Sequence, residues 1–110
     1  HTDFKPFTLD AVKDVVKNIG ADVPVYFTID LDVLDPSVFP GTGTPEAGGV
    51  TFNELREASM LVCRELNVVG CDICELAPTL DASGVSTAVA CKILRELLLA
   101  LNTNKIEKTK

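Results

Sequence analysis

The sequence is short of positive charge, of histidine and of long apolar runs. Its 10 Lys and Arg stand against 16 Asp and Glu, a formal net charge of -6. A nucleic-acid binder needs a basic face to neutralise phosphates, so this balance argues against that class. An anionic membrane surface is disfavoured on the same ground. No apolar run reaches the about 18 residues that a membrane span requires. No charged start leads into an apolar stretch and a small-residue cleavage site, so secretion is not expected. Disordered chains are poor in Val, Ile, Leu and Phe; these are abundant here, and disorder is not expected either. A single histidine, His1, leaves metal chemistry to carboxylates and thiols.

What is present is the composition of a protein interior. Of the 110 residues, 46% are hydrophobic. A chain this short makes at most one compact unit and buries only about 60–70% of its unfolded surface. So apolar a composition on so short a chain implies a portion of a larger α/β domain. The four cysteines are Cys63, Cys71, Cys74 and Cys91. Cys71 and Cys74 form a C-x-x-C without the second pair that a structural zinc site needs. On an extended segment their odd spacing turns them to opposite faces. Free thiols in a reducing cytoplasm are the expectation.

Hydrophobic periodicity alternates between helix and strand. Leu9, Val12, Val15, Val16 and Ile19 recur at helical spacing, with Gly20 placed for a cap. Pro24 opens the run Val25-Tyr26-Phe27-Thr28-Ile29, which reads as a strand buried on both faces. A long Pro- and Gly-rich connection over 33–50 follows, of the kind that often carries function. Thr51-Phe52-Asn53-Glu54 is a capping box for a helix to about Leu66, with Leu55, Ala58, Met60, Leu61 and Val62 inward. A second strand spans Val68 to Cys74. After a turn through Pro78 and Gly84, a third helix covers about Val85 to Leu101, with Ile93, Leu94, Leu97 and Leu98 among its apolar positions. The polar tail from Asn102 is expected to fray. The order α-β-α-β-α contains one β-α-β crossover, hence parallel strands. Two strands cannot cover three helices, so the sheet is expected to continue beyond them, in further chain or in another copy.

In a parallel sheet, ligands gather at the carboxyl ends of the strands. The first strand runs into Asp30-Leu31-Asp32 and the second into Glu75. In an extended conformation Asp30 and Asp32 project to the same side. Paired like charges are unfavourable unless a cation lies between them, and carboxylates favour Mg²⁺ or Mn²⁺. Asp35, before Pro36, reads as a turn former. Glu75 suits bidentate pairing with a guanidinium, although pairing with a basic side chain or capping a helix would equally occupy it. The loop Pro40-Gly41-Thr42-Gly43-Thr44-Pro45 lacks the spacing of a phosphate-binding P-loop.

Thr28-Ile29-Asp30-Leu31-Asp32-Val33-Leu34-Asp35-Pro36, then Pro40 to Pro45 and Gly48-Gly49, resembles the signature of the ureohydrolases, the arginase and agmatinase family. Asp72-Ile73-Cys74-Glu75-Leu76-Ala77-Pro78 resembles the family's later D-x-x-E-x-x-P segment. Asp81-Ala82-Ser83-Gly84 resembles the stretch leading into its last helix. The loop's form is closer to agmatinase than to arginase. The resemblance implies a partial three-layer, arginase-like parallel-sheet fold, with residues 1–110 as the C-terminal portion of the domain. It implies a binuclear manganese site in which Asp30 bridges both ions and Asp32 binds one. Glu75 would hold the substrate guanidinium, with Thr44 near it. The implied reaction is hydrolysis of a small guanidino compound, agmatine to putrescine and urea, by a cytoplasmic homo-oligomer. Arginase-like or guanidinobutyrase-like chemistry is the alternative, and a non-catalytic self-associating module is another. The family's upstream ligand segments are not complete here. His1-Thr2-Asp3 resembles the tail of one of them but stands too close to Asp30, and we read it as coincidence. The isolated chain is therefore expected to be inactive.

Overall fold

The computed structural model describes residues 6–109, with side chains described to residue 104. His1-Thr2-Asp3 lies outside the described residues. The elements follow in the order α1 (Leu9–Ile19), β1 (Pro24–Asp30), α2 (Phe52–Glu65), β2 (Asn67–Cys74) and α3 (Val85–Thr109), with 3-10 turns at Leu31–Val33 and Pro78–Leu80.

Each helix is bounded by the chemistry its sequence provides. Thr8 Oγ1 accepts from Ala11 N–H at 3.2 Å to start α1, and the Gly20 N–H closes it on Val16 O. The capping box of α2 is complete: Glu54 N–H donates to Thr51 Oγ1 at 3.1 Å, and Thr51 N–H donates to Glu54 Oε1 at 3.0 Å. The third helix departs from expectation by continuing past Leu101. Asn104 Nδ2 donates to Cys63 O at 2.7 Å and to Leu66 O at 3.4 Å, satisfying carbonyls left open at the end of α2. That bond ties the polar end of α3 to its neighbour.

The two strands pair in parallel from Pro24↔Asn67 to Asp30↔Cys74, with an irregularity between Val25 and Tyr26. One face of this sheet carries Phe27, Ile29, Cys71 and Ile73 into a core completed by Leu55 and Cys63 of α2 and Ala90, Ile93 and Leu97 of α3. The other face is open: Tyr26 is 62% exposed and Val69 66%. The expectation of a strand buried on both faces is thus corrected, because the described helices pack on one side only. The inward stripe of α2 also differs. It runs through Leu55, Ala58, Ser59 and Cys63, while Met60, Leu61 and Val62 are half-buried. On α3 the stripe is Ser86, Ala90, Ile93, Leu97 and Ala100. Leu94 and Leu98 lie outside it and are exposed. Both stripes follow the 3.6-residue period, set by where the partner helix lies rather than by which residues are most apolar.

Candidate active site

β1 delivers Asp30 to the carboxyl end of the sheet in an extended conformation, and the next residue changes the chain's course. Leu31 is fully buried, and anchoring it draws the backbone into the 3-10 turn Leu31–Val33. Asp30 caps that turn, its Oδ1 accepting from Asp32 N–H at 3.1 Å. The two carboxylates therefore come together through a capped turn, not through alternation along one extended strand as the sequence predicts. Partial loss of water pushes the Asp30 carboxyl above its ordinary range, against the lowering pull of the Asp32 amide. The charges of Asp32 and Glu75 push it the same way.

The long connection is folded tightly on itself. Leu34 and Val50 form an isolated parallel bridge, with Val50 N–H donating to Val33 O at 2.8 Å and Asp35 N–H to Val50 O at 2.9 Å. A Cβ on Gly49 would fall within 2.6 Å of Val33 O and Leu34 C, so only glycine permits this closure. Asp35 is the turn former the sequence suggests. Its carboxylate accepts from Ser37, from Gly48 N–H at 3.0 Å and from Gly49 N–H at 3.3 Å. Those donors, Ser37 foremost, hold its carboxyl below the usual range. Phe39, fully buried, anchors the middle of the connection in the core. The loop so held brings Thr44 to the acidic pair: Thr44 Oγ1 donates to Asp32 Oδ2 at 3.1 Å.

Glu75 follows directly on β2, one residue beyond Cys74, which pairs with Asp30. Its φ is 78°, the left-handed region that a side chain with a Cβ rarely adopts. Such a conformation costs about 1–3 kcal/mol, persists only where the surroundings impose it, and clusters at functional sites. All four residues singled out from the sequence, Asp30, Asp32, Thr44 and Glu75, are thus brought to one rim. Sequence reasoning missed the cluster just behind it on the open face. Asp72 accepts there from Thr28 Oγ1, from Tyr26 Oη at 2.8 Å and from Cys74 Sγ at 3.2 Å. These donors, Thr28 first, hold the Asp72 carboxyl below its usual range. The register Thr28↔Asp72 creates this meeting, and no local pattern announces a cross-strand pair.

Adjacent carboxylates whose mutual repulsion is relieved by a cation suit a hard divalent ion. Among the described residues no group of three or more His, Cys, Asp or Glu is placed to hold a metal ion. Asp30 and Asp32 therefore fit a metal as part of a donor set rather than as the whole of one. The cysteines add nothing to that set. Cys71 faces the core and Cys74 the open side, as their spacing predicts, and all four thiols are free.

A parallel β-α-β unit with carboxylates at its carboxyl rim defines an α/β protein with an acidic site at the sheet edge, and comparison with known proteins gives its family. Residues 2–100 match the arginase family. The chain is 45% identical over 97 residues to an agmatinase of Bacillus cereus, covering 87% of this chain and 33% of that protein. Its fold superposes on the solved structure of a Clostridium difficile protein assigned as an agmatinase, with a TM-score of 0.80 and 50% identity, over 93% of this chain and 36% of that one. It also superposes on proclavaminate amidino hydrolase from Streptomyces clavuligerus, with a TM-score of 0.78 and 34% identity, over 86% and 32%. The chain belongs to the arginase family. It spans about a third of the length of the relatives it matches.

Proposed function

We propose that this chain supplies the C-terminal part of a manganese-dependent ureohydrolase domain that hydrolyses agmatine to putrescine and urea. The observation that carries the reading is the convergence of Asp30, Asp32, Thr44 and Glu75 on one sheet rim. Asp30 and Asp32 would be the residues of this chain that hold the metal. Bound there, the metal would lower the pKa of a coordinated water to near neutrality. Glu75, fixed by its unusual backbone, would accept hydrogen bonds from the planar guanidinium, a bidentate match that orients the central carbon. Thr44 is turned to the same place by its bond to Asp32. Addition of hydroxide to that carbon and cleavage of its bond to the alkyl nitrogen would give urea and the free amine.

A cytoplasmic setting accords with four free cysteines. A homo-oligomer, or further strands, would cover the sheet edges left free among the described residues. The second reading, a related guanidino substrate, is favoured by the likeness to an amidino hydrolase at 34% identity. Two measurements test the proposal. Calorimetry should show weak Mn²⁺ binding, as befits two carboxylates of a larger donor set, and that binding should be lost in Asp30→Asn. Urea release from agmatine with added Mn²⁺ should be undetectable for the isolated chain, because two carboxylates leave the metal under-coordinated. No Mn²⁺ binding by the unsubstituted chain would overturn the metal reading, and clear turnover would overturn the predicted inactivity.

A further inference from the structure

Ser86, near the start of α3, is fully buried although it is polar. Its Oγ donates to Asp81 Oδ2 at 2.6 Å, and its backbone N–H donates to the same oxygen at 2.8 Å. With its proton directed at Asp81, the hydroxyl turns its lone pairs toward Gly41, whose N–H donates to it at 2.8 Å. The Gly41 carbonyl accepts from Ala77 N–H at 2.7 Å. Gly41 is therefore held at both of its polar backbone groups. A Cβ at that position would lie 2.7 Å from Ser86 Cβ and 3.0 Å from Asp81 Cβ, so the approach requires glycine. Gly41 belongs to the loop that carries Thr44, and Ala77 lies two residues after Glu75.

Capping of α3 accounts for only part of this network. Asp81 accepts from Ser83 N–H at 3.1 Å, and Ser83 Oγ accepts from Val85 N–H at 3.2 Å, which serves the helix start. The Ser86 hydroxyl has no part in that. Its second partner is on a different segment, which it joins to the helix. We propose that Ser86 and Asp81 are positioning residues that act through Gly41 to lock the loop bearing Thr44 against the segment bearing Glu75. They thereby set the spacing between the metal carboxylates and the guanidinium-binding side of the rim. The inference rests on the ureohydrolase reading above.

Mn²⁺ alone is a suitable probe, because it is paramagnetic and broadens nearby amide signals according to distance. In the ¹⁵N-labelled 110-residue chain, Mn²⁺ should broaden the amides of Asp30, Asp32, Thr44 and Glu75. In Ser86→Ala, broadening at Asp30 and Asp32 should persist while that at Thr44 and Glu75 weakens. The Gly41 amide should then exchange with solvent about tenfold faster, the loss of one buried hydrogen bond. Ser86→Thr, which keeps the hydroxyl, should restore both signals. If Ser86→Ala does not fold, Asp81→Asn, which takes the charged acceptor from Ser86, carries the same comparison. Thr44 and Glu75 broadened in the variant as in the unsubstituted chain would overturn the positioning role alone. No broadening at Asp30 and Asp32 in the unsubstituted chain would overturn the function proposed above, and the positioning role with it.

Discussion

Cys63 shows how far the fold can move the chemistry of a single side chain. It is fully buried between α2 and the sheet, and burial pushes its thiol from 9.0 to about 12. The folded pKa is raised, so folding disfavours the thiolate. The neutral form's contribution to stability is complete below the unfolded pKa and is lost as pH rises from 9.0 toward 12. The melting temperature should therefore fall on the alkaline side, and Cys63→Ala should flatten that slope. Alkylation of the native chain should modify the exposed Cys91 first. It should reach Cys74 more slowly, because its bond to the Asp72 carboxylate raises the thiol pKa, and Cys63 only on unfolding. Rapid native labelling of Cys63 would contradict this placement. Free thiols were the expectation for all four cysteines. Which of them is inert was not legible, since that depends on the helix packed over it.

Among the elements, α2 and α3 depend on each other. The capping box told from four residues where α2 begins, but its end is satisfied by a residue 38 positions away, Asn104 on α3. Asn104→Ala should cost about 1 kcal/mol, the usual worth of a satisfied hydrogen bond, and should fray α3 from that point. Amide exchange over residues 100–109, with thermal melts, would measure both effects; unchanged protection there would refute the coupling. Reading the tail from Asn102 as frayed failed for this reason. Its polar composition is indistinguishable from that of a loose end until the neighbouring helix places open carbonyls beside it. The inward stripe of α2 was misjudged at Leu61 by the same logic, and on α3 the apolar Leu94 and Leu98 are left exposed. Periodicity names an apolar face, and the neighbour decides how much of it is covered.

Across the whole molecule, the sheet has one covered face and one open face. The radius of gyration is 14.6 Å, with the least extent only 18 Å. A compact chain of this length would have about 13 Å. The slab accommodates one sheet and one layer of helices. Tyr26 and Val69 on the open face and Leu94, Leu98 and Leu99 on α3 are all at least 45% exposed. Apolar surface of that kind, with free strand edges, favours association. The isolated chain should show a mass that rises with concentration in light scattering, and Leu94→Lys with Leu98→Lys should reduce it. A monomer at every concentration would show that the slab is self-sufficient.

From residue order alone came the alternation of helices and strands, the parallel pairing, the helix caps and the acidic residues at the strand ends, while Thr44 was named by the family resemblance. These rest on local spacing and on a motif whose residues lie near one another in the chain. Only the tertiary structure decided how Asp30 and Asp32 meet, which face of the sheet is covered, and that Ser86 and Gly41, 45 residues apart, touch. Each of those depends on distant segments being packed together, where burying one anchor such as Leu31 or Phe39 dictates what its neighbours can reach.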